Sequence, residues 1–226
     1  SIDRPEINLI LIRDNIEVTN IIPRHVEGVD DFQLSTKSSV RDFPTASLKS
    51  QNSDINKIFM GFSKDDILKI DLKDNKTENI TTIFKGTFHK KNVNFKKENN
   101  SLNIEIEAIH SFFKLTKVYL TGTKKYDNIS FFDFIKELII LGNIKSEIEI
   151  SDKTKNLPVS GIIENVNAFR LFKDICLQKN LSAIFNREDT VTIENTEILK
   201  SKILGQKPVK IITNDDIISS EKSESI

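Results

Sequence analysis

The sequence predicts an α+β chain, in which an antiparallel β-barrel or β-sandwich domain is followed by a small inserted α/β domain with two helices. In about the first 120 residues, at least six short apolar or alternating segments follow one another closely, without a long helical pattern between them. Such spacing is typical of antiparallel barrels and sandwiches. Beyond that point two helical patterns alternate with short strand patterns, which favours a layered α/β unit.

The change in pattern also predicts where the domains end. Residues 1–121 form the predicted barrel domain, and residues 122–198 form the predicted α/β insertion domain. Residues 199–226 are predicted to be a linker or the start of an incomplete second barrel, because they contain short apolar pairs and end in a serine- and glutamate-rich stretch.

The clearest strand pair is predicted between Ile83 and Leu120, and we place the rest of the first domain around it. An apolar segment runs from Ile83 to Phe95, and the polar segment from Lys96 to Ser101 suits a hairpin connection. In the second strand apolar and polar residues alternate strictly, as expected for a strand with one face exposed to solvent. Its apolar positions are Leu102, Ile104, Ile106 and Ala108, and its polar positions are Asn103, Glu105 and Glu107.

Further strands are predicted upstream of this pair, which completes an antiparallel first domain. The run from Glu6 to Ile12 is followed by an Asp14-Asn15 turn and by a second strand that ends before Pro23. The other predicted strands are an alternating pattern that restarts at Phe32 and Leu34, a short strand around Ala46 and Leu48, and the segment from Asp65 to Leu72.

Two helices are predicted in the second domain from their caps and apolar stripes. Ser130 caps the first helix and Gly142 ends it, while Asn167 caps the second helix and Asn180 ends it. The residues at helical spacing are Phe131, Phe134, Ile135, Leu138 and Leu141 in the first helix, and Phe169, Phe172, Ile175 and Cys176 in the second. The predicted strands of this domain are residues 147–150, 157–163, 181–185 and 190–193.

The composition excludes several classes of protein. The 226 residues carry 33 basic and 33 acidic side chains, and a net charge of zero disfavours a dedicated nucleic-acid binder. The single cysteine, Cys176, excludes an intramolecular disulfide framework and is predicted to be a small buried side chain. No run reaches the roughly 18 apolar residues of a membrane span, and the first residues lack the order of a signal peptide. We therefore expect a soluble chain made in the cytosol.

No residue pattern predicts a catalytic, cofactor-binding or metal-binding site. The three histidines, His25, His89 and His110, have no second ligand at metal-ligand spacing. No GxSxG motif is present, and the seven glycines form no phosphate-binding loop. We therefore predict that the chain is not an enzyme and uses no cofactor. Adjacent aspartates are interpreted as solvated turns, at Asp30-Asp31, Asp65-Asp66 and Asp215-Asp216.

One segment supports an alternative function, that of an oligonucleotide- or glycan-binding β-barrel module. Between Phe88 and Lys97, four lysines lie beside two phenylalanines. Oligonucleotide-binding barrels hold single strands with such a combination of charge and stacking. The neighbouring glutamates offset the charge, so a solvated strand face is the simpler interpretation. These glutamates are Glu98, Glu105 and Glu107.

A succession of motifs resembles the phage tail baseplate hub proteins. Their recurrent segment has a strand with an F-x-G pattern and a strand that ends in I-x-A-x-x. Here that segment is IFKGTFHKK, a polar break and LNIEIEAIHSFFKLTKVYL, with Gly86 and Ala108 at the small-residue positions. The family's inserted α/β domain resembles ISFFDFIKELIILGNIKSEIEI and IIENVNAFRLFKDICLQKNLSAIFNREDTVTIEN, and the linker to its second barrel is similar to TNDDIISSEKSESI. The resemblance covers about residues 5–226 in order.

The resemblance implies a structural hub that joins a tail tube to a central spike. In this family each chain has two barrels and an α/β insertion, and three chains form a ring that presents six similar barrels to the hexameric tube. Related hubs occur in siphophage tail tips, contractile bacteriocins and the amino-terminal part of type VI secretion spikes. Set against this family, the sequence is expected to contain little of the second barrel, which a longer form of the chain or another polypeptide would supply, unless this hub departs from the family pattern.

The same resemblance sets the expected partners and location. We expect tail tube and spike proteins as partners, a homotrimer, no membrane span, and no nucleic acid apart from the genome that passes through the channel. The expected location is the tail of a virion or phage-like particle, which is assembled in the bacterial cytoplasm.

Overall fold

The computed structural model describes residues 5–21, 32–38, 42–98 and 100–205. These residues form two compact units, of which the first ends at His110 and the second begins at Ser111. The predicted α+β class with mainly antiparallel sheets is confirmed. Residues 206–226, which include most of the predicted linker, lie outside the described residues, as do His25 and the aspartate pairs Asp30-Asp31 and Asp215-Asp216.

The first unit is built on one seven-stranded antiparallel sheet, whose strands lie in the order β2-β1-β5-β6-β7-β4-β3. The pairings of the described residues leave the sheet open, with β2 at one edge and β3 at the other. The elements are β1 (Glu6–Arg13), β2 (Ile16–Ile21), β3 (Phe32–Lys37), β4 (Thr45–Ser50), α1 (Ser53–Met60), β5 (Ile67–Lys73), β6 (Ile80–Lys96) and β7 (Ser101–Ile109).

The core of this unit lies on one face of the sheet. The two-turn helix α1 places Ile55 and Phe59 on that face, and fully buried residues extend from Leu9 in β1 to Phe32 in β3. One short helix covers only a small part of seven strands, so the strands themselves must enclose much of the core. Register shifts in the pairings β1–β2, β5–β6 and β6–β7 supply the necessary bending, because a bulge increases the local twist of a strand.

Gly86 lets β6 and β7 come close together. A Cβ atom at this position would lie 2.4 Å from the carbonyl oxygen of Ile109 and 2.7 Å from Cζ of Phe84. Neither neighbour has room to move, since one is backbone and the other is a fully buried ring. Ala108, the second small residue, is also fully buried and pairs with Phe88. Both small residues are therefore required by packing.

The second unit contains two small sheets. An antiparallel pair joins β8 to β10, and a three-stranded sheet has the order β11-β12-β9, in which β12 and β9 run parallel. A 3₁₀ helix, Ser111–Lys117, comes first. The other elements are β8 (Tyr119–Ser130), α2 (Phe131–Gly142), β9 (Glu147–Ile150), α3 (Asp152–Lys155), β10 (Pro158–Asn167), α4 (Ala168–Gln178), β11 (Leu181–Phe185), β12 (Thr190–Asn195) and α5 (Thr196–Gly205).

The two predicted helices begin at the predicted caps. The Ser130 hydroxyl accepts a hydrogen bond from the Asp133 amide at 3.1 Å, and the Asn167 carboxamide oxygen accepts from the amides of Phe169 and Arg170 at 3.0 and 3.1 Å. The end of α2 differs from the prediction, because Gly142 is still helical. Asn143 adopts the left-handed conformation instead, with φ of 48°.

An aromatic cluster forms the centre of the second unit. Phe112 is fully buried on the 3₁₀ helix, and its ring centroid lies 4.9 Å from Phe172, 5.3 Å from Phe185 and 6.3 Å from Phe169. These rings come from the 3₁₀ helix, α4 and β11. The cluster therefore connects the 3₁₀ helix to α4 and β11, which lie much later in the sequence.

Several elements of this unit differ from the sequence prediction, among them the short helix α3, which was not predicted. Strand β8 was not predicted, because its sequence is polar and Tyr126 is its only buried residue. Helix α5 includes residues 199–205, which we expected to belong to a linker. Predicted strand 157–163 is longer in the structure, where it continues to Asn167 and pairs with β8 along its length.

Candidate functional site

A two-stranded ribbon extends beyond the sheet of the first unit. Strand β5 pairs with β6 only between Ile80 and Thr87, and β4 pairs with β7 only between Ile104 and Ile109. Residues 94–96 of β6 therefore pair only with 101–103 of β7 among the described residues, while residues 90–93 pair with 104–107, which lie next to β4. We call residues 90–96 and 101–103 the arm. In the described part of the chain, no strand pairs with the side of residues 90–96 that faces away from β7.

The arm is basic and exposes apolar side chains. All residues from 90 to 96 are exposed, including Val93 at 40% and Phe95 at 56% of the side chain's full accessibility. Lys91 donates a hydrogen bond from Nζ to the Met60 carbonyl oxygen at 3.1 Å, so the base of the arm is held against the end of α1. Four lysines and one glutamate lie on the arm and its turn: Lys90, Lys91, Lys96, Lys97 and Glu98.

Strand β2 is a second exposed edge. In the described part of the chain β1 is its single neighbour, and the two are joined by the Asp14-Asn15 turn, with φ of 50° and 63°. These left-handed values fit the predicted two-residue hairpin. Ile16 and Val18 are 67% and 50% exposed, and Glu17 between them is exposed as well. This edge therefore combines apolar and acidic side chains.

A partly buried ion pair fixes the end of β1 beside this edge. Arg13 donates from Nε and Nη2 to the two carboxylate oxygens of Asp66 at 2.8 and 2.6 Å, and the Ser63 amide donates to Asp66 at 2.9 Å. Burial raises the pKa of Asp66, but the hydrogen bonds from Arg13 and Ser63 outweigh it and hold the pKa below its ordinary value of 3.8. The interpretation of Asp65-Asp66 as a solvated turn is wrong for Asp66, whose side chain is 1% exposed.

The surface proposed for base stacking is only partly present. Phe88 is 9% exposed and stacks on Phe62 with ring centroids 3.9 Å apart, so its face is covered. Phe95 is the aromatic residue of the segment that remains exposed. A single exposed ring gives little of the stacking platform that single-stranded nucleic acid requires.

The buried polar groups of the second unit have structural partners. The Asp189 carboxylate accepts hydrogen bonds from the Ser111 amide at 2.7 Å, from the Ser111 hydroxyl at 2.5 Å and from the Ser146 hydroxyl at 3.3 Å. Cys176 is buried as predicted, and burial raises the pKa of its thiol to about 12, so little thiolate exists at neutral pH.

A metal site would need three or more histidine, cysteine, aspartate or glutamate side chains close together. Among the residues that the structure describes, no such group is found. His110 is fully buried directly after β7, and its amide donates to the Pro44 carbonyl oxygen at 2.9 Å. The helices of the described residues are all too short or too polar to span a bilayer.

Sequence reasoning predicted the hairpin but not the arm. The signal was the length of β6, which has 17 residues against 7 in β5, so its second half has no neighbour on that side. The apolar residues of β6 continue into the arm with Val93 and Phe95. The sequence pattern therefore indicated that the whole strand belongs to the sheet.

Comparison with solved structures identifies relatives of this fold. The 43 kDa tail protein of prophage MuSo2 from Shewanella oneidensis has a TM-score of 0.56 at 10% identity, over 85% of this chain and 56% of its own. The tail protein from Neisseria meningitidis MC58 has a TM-score of 0.51 at 9% identity, over 83% of this chain and 50% of its own. A chain of the Francisella PdpA–VgrG complex has a TM-score of 0.54 at 13% identity, over 91% of this chain and 34% of its own.

These similarities concern the fold, since no family model and no curated protein matches the sequence. The chain spans between 34% and 56% of the length of the three solved structures. Two of the three are tail proteins by name, which agrees with the family that the sequence resembles. The chain therefore has the fold of phage tail proteins, as its succession of motifs predicted.

Proposed function

We propose that the chain is a structural hub subunit of a phage tail or phage-like injection particle, where it joins the tail tube to the central spike. The observation that carries this proposal is the fold shared with two tail proteins over 85% and 83% of the chain. The likeness to a chain of the PdpA–VgrG complex supports a position beside a spike. In this proposal the chain resides in the tail of the particle.

The mechanism rests on shape and symmetry. Within the described residues the sheet of the first unit ends in two free edges, at β2 and β3. Backbone groups at such edges pair readily with another chain. Copies of the first domain, residues 1–121, would form the wall of a ring around a channel, and the family resemblance makes that ring a trimer. Residues 122–198 would form the insertion, and residues 199–226 would lead towards a second barrel.

The role is not enzymatic in this proposal. The thiol of Cys176 is buried, and the Asp66 and Asp189 carboxylates are occupied by structural hydrogen bonds. None of these groups is poised for chemistry on a substrate.

Co-purification tests this function directly. The chain is expressed together with the tail tube and spike proteins encoded in its own gene cluster, and complexes are examined by negative-stain electron microscopy. We expect the chain to co-purify with both proteins and to form rings with a central channel. A chain that stays monomeric and binds neither protein would overturn the proposal, and so would particles purified from an induced lysate that lack it.

A further inference from the structure

We propose that the arm of one copy pairs with the free edge of β2 in a second copy of this chain. The inference rests on the proposed hub function, in which copies must contact one another around a ring, and it names the two surfaces that meet. Strand β2 would gain a new neighbour, and residues 90–96 of the arm would gain one on their open side.

The backbones of both surfaces are suited to this pairing. Strand β2 has six residues and the arm offers seven, residues 90–96, so each spans about 20 Å at the usual rise of a strand. Both have an unpaired edge among the described residues. The tip of the arm, where residues 94–96 pair only with 101–103, is a ribbon of two strands and at most marginally stable in water. A strand added along the open side of residues 90–96 would satisfy the outer amide and carbonyl groups.

The side chains match in pattern and in the face they occupy. Val93 and Phe95 pair with Ile104 and Leu102, which belong to the core face of the sheet. Ile16 pairs with Arg13, which lies on the same face of β1 as the buried Leu9 and Leu11. Val18 is the extra residue at the register shift between β1 and β2, so its face is not fixed by a partner. Pairing of the two edges would therefore bring Val93 and Phe95 to the same side as Ile16 and cover these three side chains.

The charges of the two surfaces are opposite. The arm and its turn carry four lysines and one glutamate, whereas Asp14 and Glu17 are the charged residues of the β2 edge, in a chain with no net charge. Arg13 lies nearby, but its charge is neutralised by Asp66. Two arms would repel each other, so the contact must join different surfaces of the two copies. Such a head-to-tail contact generates a ring when the rotation closes.

Charge exchange tests the contact in the full chain. The variants are Glu17→Lys, Lys96→Glu with Lys97→Glu, and the combination of all three, and sedimentation velocity measures association over a concentration series. Each separate variant should weaken association about tenfold, and the combination should restore it, because attraction is re-established with the signs exchanged. The control, Lys145→Glu with Lys153→Glu, reverses two exposed lysines of the second unit and should have no effect.

Cross-linking provides a readout that does not depend on affinity. Residue 17 lies between Ile16 and Val18, and residue 94 lies between Val93 and Phe95, so these positions face each other whether the strands run parallel or antiparallel. A mixture of Glu17→Cys chains and Asn94→Cys chains should give a covalent dimer with a short bismaleimide. Mixtures of Glu17→Cys with Lys145→Cys should not, and the buried Cys176 should not react.

The outcomes separate the two proposals. If neither edge variant differs from the control, or if the Glu17→Cys and Asn94→Cys chains do not cross-link, the arm does not pair with β2. If the chain then still binds tube and spike proteins, the hub function remains and only the pairing is wrong. If the edges cross-link but tube and spike proteins do not bind, the pairing remains and the hub function is wrong.

Discussion

The unit that ends at His110 has a basic and an acidic strand edge without partners among the described residues, whereas the unit that begins at Ser111 ties its turns and helices together internally, although its two small sheets also end in unpaired edges there. In the first unit the free edges are those of β2, β3 and the arm. In the second, the carboxylate of Asp189 accepts hydrogen bonds from two serines, and rings from α4 and β11 surround Phe112. The first unit is therefore suited to be completed by another chain, and the second to fold without one.

This difference predicts how each unit responds to protein concentration. Association stabilises only the state that binds, so pairing of edges should make the stability of the first unit depend on concentration. The second unit should be insensitive to it. Hydrogen exchange of peptides from each unit, measured along a urea denaturation series, gives the stability of each unit separately. The same measurement serves for the variants below.

The largest effect is expected from Phe112→Ala. Loss of a fully buried ring at the centre of the aromatic cluster should lower the free energy of unfolding of the second unit by about 3–5 kcal/mol. Phe95→Ala is the matched control, because this ring is 56% exposed and its removal should change monomer stability by less than about 0.5 kcal/mol. If the two substitutions lowered the free energy of unfolding equally, the contrast drawn between the two units would be wrong.

The next effect is expected from Gly86→Ala in the first unit. The added Cβ atom meets the backbone of Ile109 at 2.4 Å, so β6 and β7 must separate, at a cost of about 3 kcal/mol. At Gly61 a Cβ atom would make an ordinary contact of 3.5 Å, and Gly61→Ala should be nearly neutral. A stable Gly86→Ala variant would mean that the strands of this unit adjust more readily than its core suggests.

A smaller effect is expected from Asp189→Asn. Asparagine tolerates the left-handed backbone at this position, where φ is 64°, but its NH₂ group would face a donor of Ser111 or Ser146. One buried donor is then unsatisfied, which should lower the free energy of unfolding of the second unit by about 1–3 kcal/mol. Glu188→Gln, in the same turn but exposed, is the control and should leave stability unchanged.

The smallest effect is the acid response of the Arg13–Asp66 pair. The pKa of Asp66 is lowered in the folded state, so the pair stabilises the first unit above pH 3.8 and loses its effect as pH falls through the folded pKa. Arg13→Gln should make the stability of this unit less dependent on pH between about pH 6 and about pH 3. Lys49→Gln removes an exposed pair with Glu105 and should not alter this dependence. If both variants reduced the pH dependence of stability to the same extent, the role given to Asp66 would be contradicted.

The sequence predicts best the elements whose cause is local. Ser130 and Asn167 start their helices with their own side chains, and Asp14-Asn15 forms the predicted turn through its own backbone preference. Strand β8 was missed because the residues that it pairs with in β10 lie 28 to 48 positions later in the chain and most of its own side chains are exposed. Periodicity reports burial, and a strand that buries almost nothing has no pattern to detect.

The candidate site was predicted in part for the same reason. The lysines beside phenylalanine marked the right segment, but only the structure shows that Phe88 is buried and Phe95 exposed. Asp66 was misread because its partner, Arg13, lies 53 residues earlier in the chain. Side chains that gain their role from distant residues cannot be assigned from spacing alone.

The lysines of the arm have a consequence for the chain before assembly. A long, exposed, apolar strand edge is a template for uncontrolled stacking, and charged side chains along such an edge, lysine above all, suppress it. Lys90, Lys91, Lys96 and Lys97 lie along this edge, so we expect their mutual repulsion to hinder stacking of newly made copies. In the pairing proposed above, the residues that select the acidic edge of a neighbour would thus also protect the unassembled protein from aggregation.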